Sequence, residues 1–153
     1  MPTAWRIVKS RFAARAFDGE GARLYGGRWN SVGVRMVYTA GSVSLAVLEM
    51  LVHLENTDVL PAYSICAVHF DDAVVTSLDR SKLPANWRDS PSPPELLTMG
   101  DAWVASRSSA VLEVPSAVVE SESNYLINPD HPDFASLLIE PPGPFTFDPR
   151  LLE

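Results

Sequence analysis

The sequence predicts an α+β domain: a mixed or largely antiparallel sheet with flanking helices. Three observations carry this. Runs of strand type and of helix type both occur, but without the regular strand–helix alternation of a parallel array. The strand candidates are short and are separated by turn formers. The length of 153 residues suits a single domain over 1–153, which can bury roughly two thirds of its unfolded surface.

In order, Trp5–Val8 reads as the first strand, and a loop bearing Gly19, Gly21, Gly26 and Gly27 follows. Arg35–Thr39 reads as the second strand. Ser42 or Ser44 is placed to cap a helix running to about Leu54. Tyr63–Phe70 is a third strand and Ala73–Leu78 a fourth. Pro94 suits the first turn of a helix that continues through Arg107. Val111–Val114 and Ala117–Val119 are short strand candidates, and Leu137–Glu140 and Phe145–Phe147 close the chain. Pro91, Pro93 and Pro94 mark a loop, and Pro141, Pro142, Pro144 and Pro149 an irregular tail.

The net charge is −7 and the pI about 4.9, which disfavours direct nucleic-acid binding. The basic residues are uneven, however. Arg6, Lys9, Arg11, Arg15, Arg23, Arg28 and Arg35 share the first 35 positions with only Asp18 and Glu20. That is either a solvated charged face or a local pocket for an anion such as a diphosphate. No signal-peptide pattern and no spanning stretch is present, so a cytoplasmic protein without membrane association is expected. Cys66, the only cysteine, lies in the apolar run Tyr63–Val68 and reads as a small buried hydrophobe. His53, His69 and His131 show no metal-ligand spacing.

Three segments hold the candidate chemistry. The helix from Ser42 to Leu54 carries Leu45, Leu48 and Val52 in one stripe, with Val43, Val47, Met50, Leu51 and Leu54 around it. A helix apolar nearly all round is a buried helix. Glu49 lies in that stripe, and a carboxylate there has to be paired or hydrogen-bonded. It is either half of a structural pair or a carboxylate at the floor of a cleft. Gly26-Gly27-Arg28-Trp29-Asn30 permits a tight turn and presents a guanidinium suited to phosphate or carboxylate. Trp29 can stack on a flat ring or pack in the core. The loop is neither a Gly-x-Gly-x-x-Gly fingerprint nor a P-loop. Ser116 ends an apolar run after Pro115, and Ser123 to Pro129 sets polar residues among apolar ones. For each of these, local turn capping is the competing explanation.

Together these segments resemble the RES domain, the toxin half of a bacterial toxin–antitoxin pair. The likeness runs through Trp5-Arg6-Ile7, Phe17–Ala22, Gly26–Asn30, Val37–Ala40, Leu45–Glu49, Val114–Ser116, Asn124–Pro129 and His131–Phe134. The arginine, glutamate and serine that name the family fall by motif on Arg28, Glu49 and Ser116, with Ser121 and Ser123 as neighbouring alternatives. The resemblance implies an ADP-ribosyltransferase-like core. It implies a toxin that depletes NAD⁺ by cleaving the nicotinamide–ribose bond, passing ADP-ribose to water or phosphate. Some relatives modify a protein instead. Arg28 would hold the diphosphate, and Glu49 would stabilise charge on the ribose. Tyr38, Trp29, Ser116 and Asn124 would contact the substrate. NAD⁺ is then consumed as substrate, with no metal or recycled cofactor. The implied partner is an Xre-type helix-turn-helix antitoxin, through which any DNA contact runs, and a homodimer within the complex is allowed. Composition places the antitoxin contact around Trp87 to Trp103 or on the proline-rich tail.

Overall fold

We describe residues 1–54 and 62–152 of a computed structural model. The strand β1 (Thr3–Lys9) lies near the middle of one sheet. It pairs antiparallel with β3 (Tyr63–His69) over seven positions, from Thr3↔His69 to Lys9↔Tyr63. On its other side it meets β2 (Val37–Ala40) at a single register point, Trp5↔Ala40. β2 pairs antiparallel with β6 (Ser123–Ile127), and β6 with β5 (Val111–Pro115). β4 (Val75–Ser77) adds a parallel edge to β5. β7 (Leu138–Ile139) and β8 (Gly143–Phe145) pair with β3. The fold is thus α+β with a mixed, mainly antiparallel sheet, as the sequence predicts.

Both faces of the sheet are covered, which explains why its inner strands are apolar on successive residues. Ala4, Val8, Val37, Cys66, Val68, Val111 and Ile127 pack on one side with Phe17, Phe70 and Leu137. On the other side Ile7, Ala40 and Tyr63 meet Leu45 and Ala46 of α2 (Val43–Leu51). Further along that side, Leu112, Val114 and Leu126 meet Leu96 and Trp103 of α3 (Pro94–Ser106). Ser42 caps α2 by accepting from the Leu45 N–H at 3.0 Å, and Pro94 opens α3. Cys66 is buried among aliphatic neighbours, as expected, and burial pushes its thiol above the ordinary value.

Four expectations are corrected. The glycine-bearing loop contains a short helix, α1 (Glu20–Tyr25), bounded by Gly19 and Gly26, both at positive φ. Asp18 accepts from the Glu20 N–H at its start, and Glu20 pairs with Arg23. Ala117–Val119 is not a strand, because the Ser116 hydroxyl takes the N–H groups of Val118 and Val119 and closes a turn. The strand lies at Ser123–Ile127 instead. Third, α2 is not buried all round: Leu48 is 39% and Val52 59% exposed, because only one face meets β1 and β2. Finally, the Trp87–Trp103 stretch does not supply an apolar surface. Leu96 and Trp103 are core residues, and the exposed large apolar side chains are Leu24, Tyr25, Val32, Leu48 and Val52, with Leu138, Ile139 and Leu151 toward the tail.

Candidate active site

A cavity of about 810 Å³ opens between β1, β2, β6, α2 and the loops that follow α1 and β5. That volume accommodates a ligand of small-molecule or cofactor size. Arg6, Tyr38, Ala40, Asn124 and Leu126 line its sheet side, and Ala46, Glu49, Met50 and Val52 its helix side. Arg28, Arg88, Ser90 and Pro91 lie at its other walls.

Glu49 is half-buried on the wall of α2 that faces the cavity. Its Oε1 accepts from the Ser116 hydroxyl at 2.7 Å and from the Asn124 Nδ2 at 2.9 Å. The Ser116 hydroxyl also accepts from two backbone N–H groups and is fully buried, so its direction is fixed. α2, the turn after β5 and the start of β6 therefore converge on one carboxylate. Oε2 has no side-chain partner among the described residues. Of the three serines considered from sequence, Ser116 is the one bonded to Glu49.

The loop that carries Arg28 is held from several sides. Asn30, 1% exposed, donates from Nδ2 to the carbonyls of Ala22, Ser31 and Val34. The Tyr38 hydroxyl donates to Asn30 Oδ1 at 2.6 Å and accepts from the Trp29 N–H at 3.1 Å. Gly27 permits this approach, since a Cβ there would stand 2.5 Å from the Tyr38 hydroxyl. Burial raises the Tyr38 phenol far above its ordinary value near 10, and the Trp29 N–H that it accepts offsets this only in part. From α3, Asp101 takes the Ser31 N–H at 3.0 Å and its hydroxyl at 2.6 Å. The Arg28 Nη1 donates to the carbonyls of Trp87 and Asp89 at 2.9 and 3.1 Å. Arg88 reaches across to the carbonyl of Ala117 and the carboxylate of Glu120. The segment 87–92 thus bridges the Arg28 loop and the Ser116 turn.

The structure brings Arg28, Tyr38, Glu49, Ser116 and Asn124 to one cavity wall or its support. Trp29 is 2% exposed and packs against Leu96 and Trp103, and it also borders the cavity. Sequence reasoning passed over Arg6, Arg88 and Asp101 as individual site residues. The signals for Arg6 are a charge set inside the apolar run of β1 and its place in the Trp5-Arg6-Ile7 segment of the resemblance. Among the described residues, no group of three or more His, Cys, Asp or Glu side chains gathers as metal ligands.

Residues 3–148 match the RES domain. The chain belongs to the RES domain family. A relative from Yersinia enterocolitica named Toxin Res is 41% identical over 148 residues, covering 96% of this chain and 97% of its own. A relative from a Sphingobium strain named Prs ADP-ribosylating toxin is 36% identical over 153 residues, with 97% and 95% covered. Among solved structures, the crystal structure of the M. tuberculosis MbcT–MbcA toxin–antitoxin complex holds a chain of similar fold. Its TM-score is 0.78 at 19% identity, with 95% of this chain and 84% of that one covered. In this RES domain the motif residues Arg28, Glu49 and Ser116 are far apart in sequence. The cavity joins them through a hydrogen bond between the latter two and a buttressed loop for the first.

Proposed function

We propose that this protein is the toxin of a toxin–antitoxin pair and that it cleaves the nicotinamide–ribose bond of NAD⁺, depleting the cell of it. The observation that carries this is the Glu49 carboxylate, fixed by Ser116 and Asn124 on the wall of a mainly apolar cavity that also presents Arg6, Arg28 and Arg88. In the reaction the C1′–N bond breaks and its electron pair leaves with neutral nicotinamide. The ribose takes on oxocarbenium character, which a pre-oriented carboxylate stabilises. Glu49 supplies that charge, and its Oε2, which has no side-chain partner among the described residues, is available to a ribose hydroxyl. Arg28 takes the diphosphate through charge-assisted hydrogen bonds. Water or phosphate then attacks C1′ and gives up its proton. NAD⁺ is consumed as substrate.

The name of the Sphingobium relative favours a second reading, transfer of ADP-ribose to a protein. We further propose that the neutralising partner is an Xre-type helix-turn-helix antitoxin, that DNA contact runs through it, and that the toxin acts in the cytoplasm. The exposed apolar Val52 at the cavity wall offers that partner a contact.

The test follows nicotinamide release from NAD⁺ by purified protein, with and without phosphate, beside Glu49→Gln. Free ADP-ribose or its phosphorylated form is expected, and Glu49→Gln should lose at least a hundredfold in rate. Label retained on a macromolecule would select protein modification. Release equal to that of Glu49→Gln under all conditions refutes the assignment.

A further inference from the structure

We infer that Arg88 is a positioning residue that couples two ends of the cavity, the Arg28 loop and the Ser116 turn, across the segment between them. Residues 83–93 lead into α3 as turns and bends. Among the described residues their main-chain hydrogen bonds are local, with Trp87 N–H donating to the Pro84 carbonyl and Asp89 N–H to that of Asn86. None reaches the sheet. Leu83 and Trp87 pack, half-buried, on the cluster that holds Trp29, Leu96 and Leu112. Beyond that packing, two arginines fasten the segment. The Arg28 Nη1 takes the carbonyls on either side of residue 88, those of Trp87 and Asp89. Arg88 itself reaches the opposite wall. Its Nε donates to the Ala117 carbonyl at 3.0 Å, its Nη1 to the Glu120 carboxylate at 3.1 Å and its Nη2 to the Val118 carbonyl at 3.5 Å.

Ala117 and Val118 directly follow Ser116. Their turn is closed by the Ser116 hydroxyl, which accepts from the N–H groups of Val118 and Val119 at 3.1 and 3.0 Å. The same hydroxyl donates to Glu49 at 2.7 Å. A turn released at its carbonyls therefore lets the hydroxyl swing away from the carboxylate. The Arg88–Glu120 pair is exposed, and such pairs contribute little by themselves. The effect of Arg88 comes from the carbonyl bonds, because a guanidinium fork spans two successive peptides and a carboxylate at once, which an ammonium cannot do. Coupling between sites needs contiguous contacts. Here they run from Arg28 through the peptides at 87–89 to Arg88, then through the Ser116 turn to Glu49.

The coupling itself is independent of the ligand, whereas its effect on rate rests on the proposed function. NMR-resolved amide exchange of Val118 and Val119 in the whole protein tests the coupling. Arg88→Gln should speed both roughly tenfold, and Arg28→Gln, from across the cavity, several-fold. The amide of Leu126, in the sheet, should exchange as in the unaltered protein. Arg88→Lys replaces Arg88→Gln in this test if the glutamine variant does not fold. Unchanged exchange at Val118 and Val119 overturns the inference, and so does a response to Arg88→Gln without one to Arg28→Gln, or a rise shared by Leu126. Nicotinamide release tests the effect on rate. Arg88→Gln should lower kcat roughly tenfold while KM for NAD⁺ stays within about twofold, because Arg88 orients Glu49 and does not hold the ligand. Arg88→Lys keeps the charge opposite Glu120 but not the carbonyl bonds, so it should not restore the rate. Glu120→Gln should keep roughly half the rate or more. Rescue by lysine, an equal loss in Glu120→Gln, or ordinary turnover in Arg88→Gln overturns the positioning role. If the unaltered protein releases no nicotinamide, the proposed function fails, and amide exchange still decides the coupling.

Discussion

Gly100→Ala tests whether α3 sets the position of the Arg28 loop. A Cβ at Gly100 would stand 1.7 Å from the Trp29 carbonyl oxygen, 2.7 Å from its carbonyl carbon and 3.1 Å from its Cβ. Relief needs a shift of roughly 1.5 Å or more between helix and loop. Neither side yields easily. Leu96 and Trp103 bury α3 in the core, while Asn30, Tyr38 and Asp101 hold the loop. Overpacking of this kind costs about 3 kcal/mol, the upper end of its usual range. In an unconstrained helix the same change would stabilise by about 1 kcal/mol, so the sign is diagnostic. For a chain of this size the loss corresponds to a fall in Tm of roughly 6–12 °C. Arg28 moves with the loop, and a displacement of roughly 1 Å at a substrate-positioning group costs about a hundredfold in rate. Thermal unfolding and nicotinamide release check both parts. A variant with unchanged or raised Tm and ordinary turnover would refute the close contact.

Ser116→Ala removes a donor to Glu49 and strands the N–H groups of Val118 and Val119, so a loss of about 2 kcal/mol and a large fall in turnover are expected. Denaturant titration and rate measurement check it, and Ser123→Ala serves as the contrast with little effect on Glu49. Tyr38→Phe should cost about 1–2 kcal/mol by freeing Asn30 Oδ1 and the Trp29 N–H. Its pH dependence has a definite sign. The folded-state pKa of Tyr38 lies above the unfolded value near 10, so its contribution is complete below pH 10 and declines as pH rises further. Tm against pH should therefore fall more steeply above pH 10 for the unaltered protein than for Tyr38→Phe. Parallel curves would remove the buried hydroxyl from the account. Asp101→Asn should weaken turnover more than stability, since it loosens the Ser31 end of the loop without opening the core.

Periodicity showed most of the fold. The helices at Val43–Leu51 and Pro94–Ser106 and the strands at Thr3–Lys9 and Tyr63–His69 stand close to where apolar spacing and capping residues put them. What escaped was decided by local polar groups. The Ser116 hydroxyl diverts Val118 and Val119 from a strand into a turn, although both are β-branched. The helix Glu20–Tyr25 is too short to show an apolar stripe, and glycines at both ends disguise it as loop. For α2, apolar content alone overstated burial, because a wall that borders a cavity has the composition of one that meets a core. The candidate site was legible as Arg28, Glu49 and Ser116 but not as an arrangement. Nothing in the spacing shows that Asn124 shares Glu49 with Ser116, or that Tyr38 spends its hydroxyl on the Arg28 loop.

The charge distribution connects these levels. A chain with net charge −7 repels a polyanion, yet its cavity gathers Arg6, Arg28 and Arg88 around one glutamate. The reversal is local because two of the three arginines spend hydrogen bonds on the chain's own carbonyls, not on carboxylates. Arg28 holds Trp87 and Asp89, and Arg6 holds Tyr38. A carbonyl fixes a guanidinium in place without cancelling its charge. Arg88, at the rim, is the one paired with a carboxylate, that of Glu120. The full positive charge therefore stays at the walls of the cavity, where a small ligand with phosphoryl groups can reach it and a duplex cannot. Across that space stands a single carboxylate, Glu49, which in the proposed reaction meets a cationic centre. A molecule that carries an anionic diphosphate and a cationic ring on one ribose presents both charges together, and that pairing is what selects NAD⁺ over a simple nucleotide diphosphate in the proposed reaction.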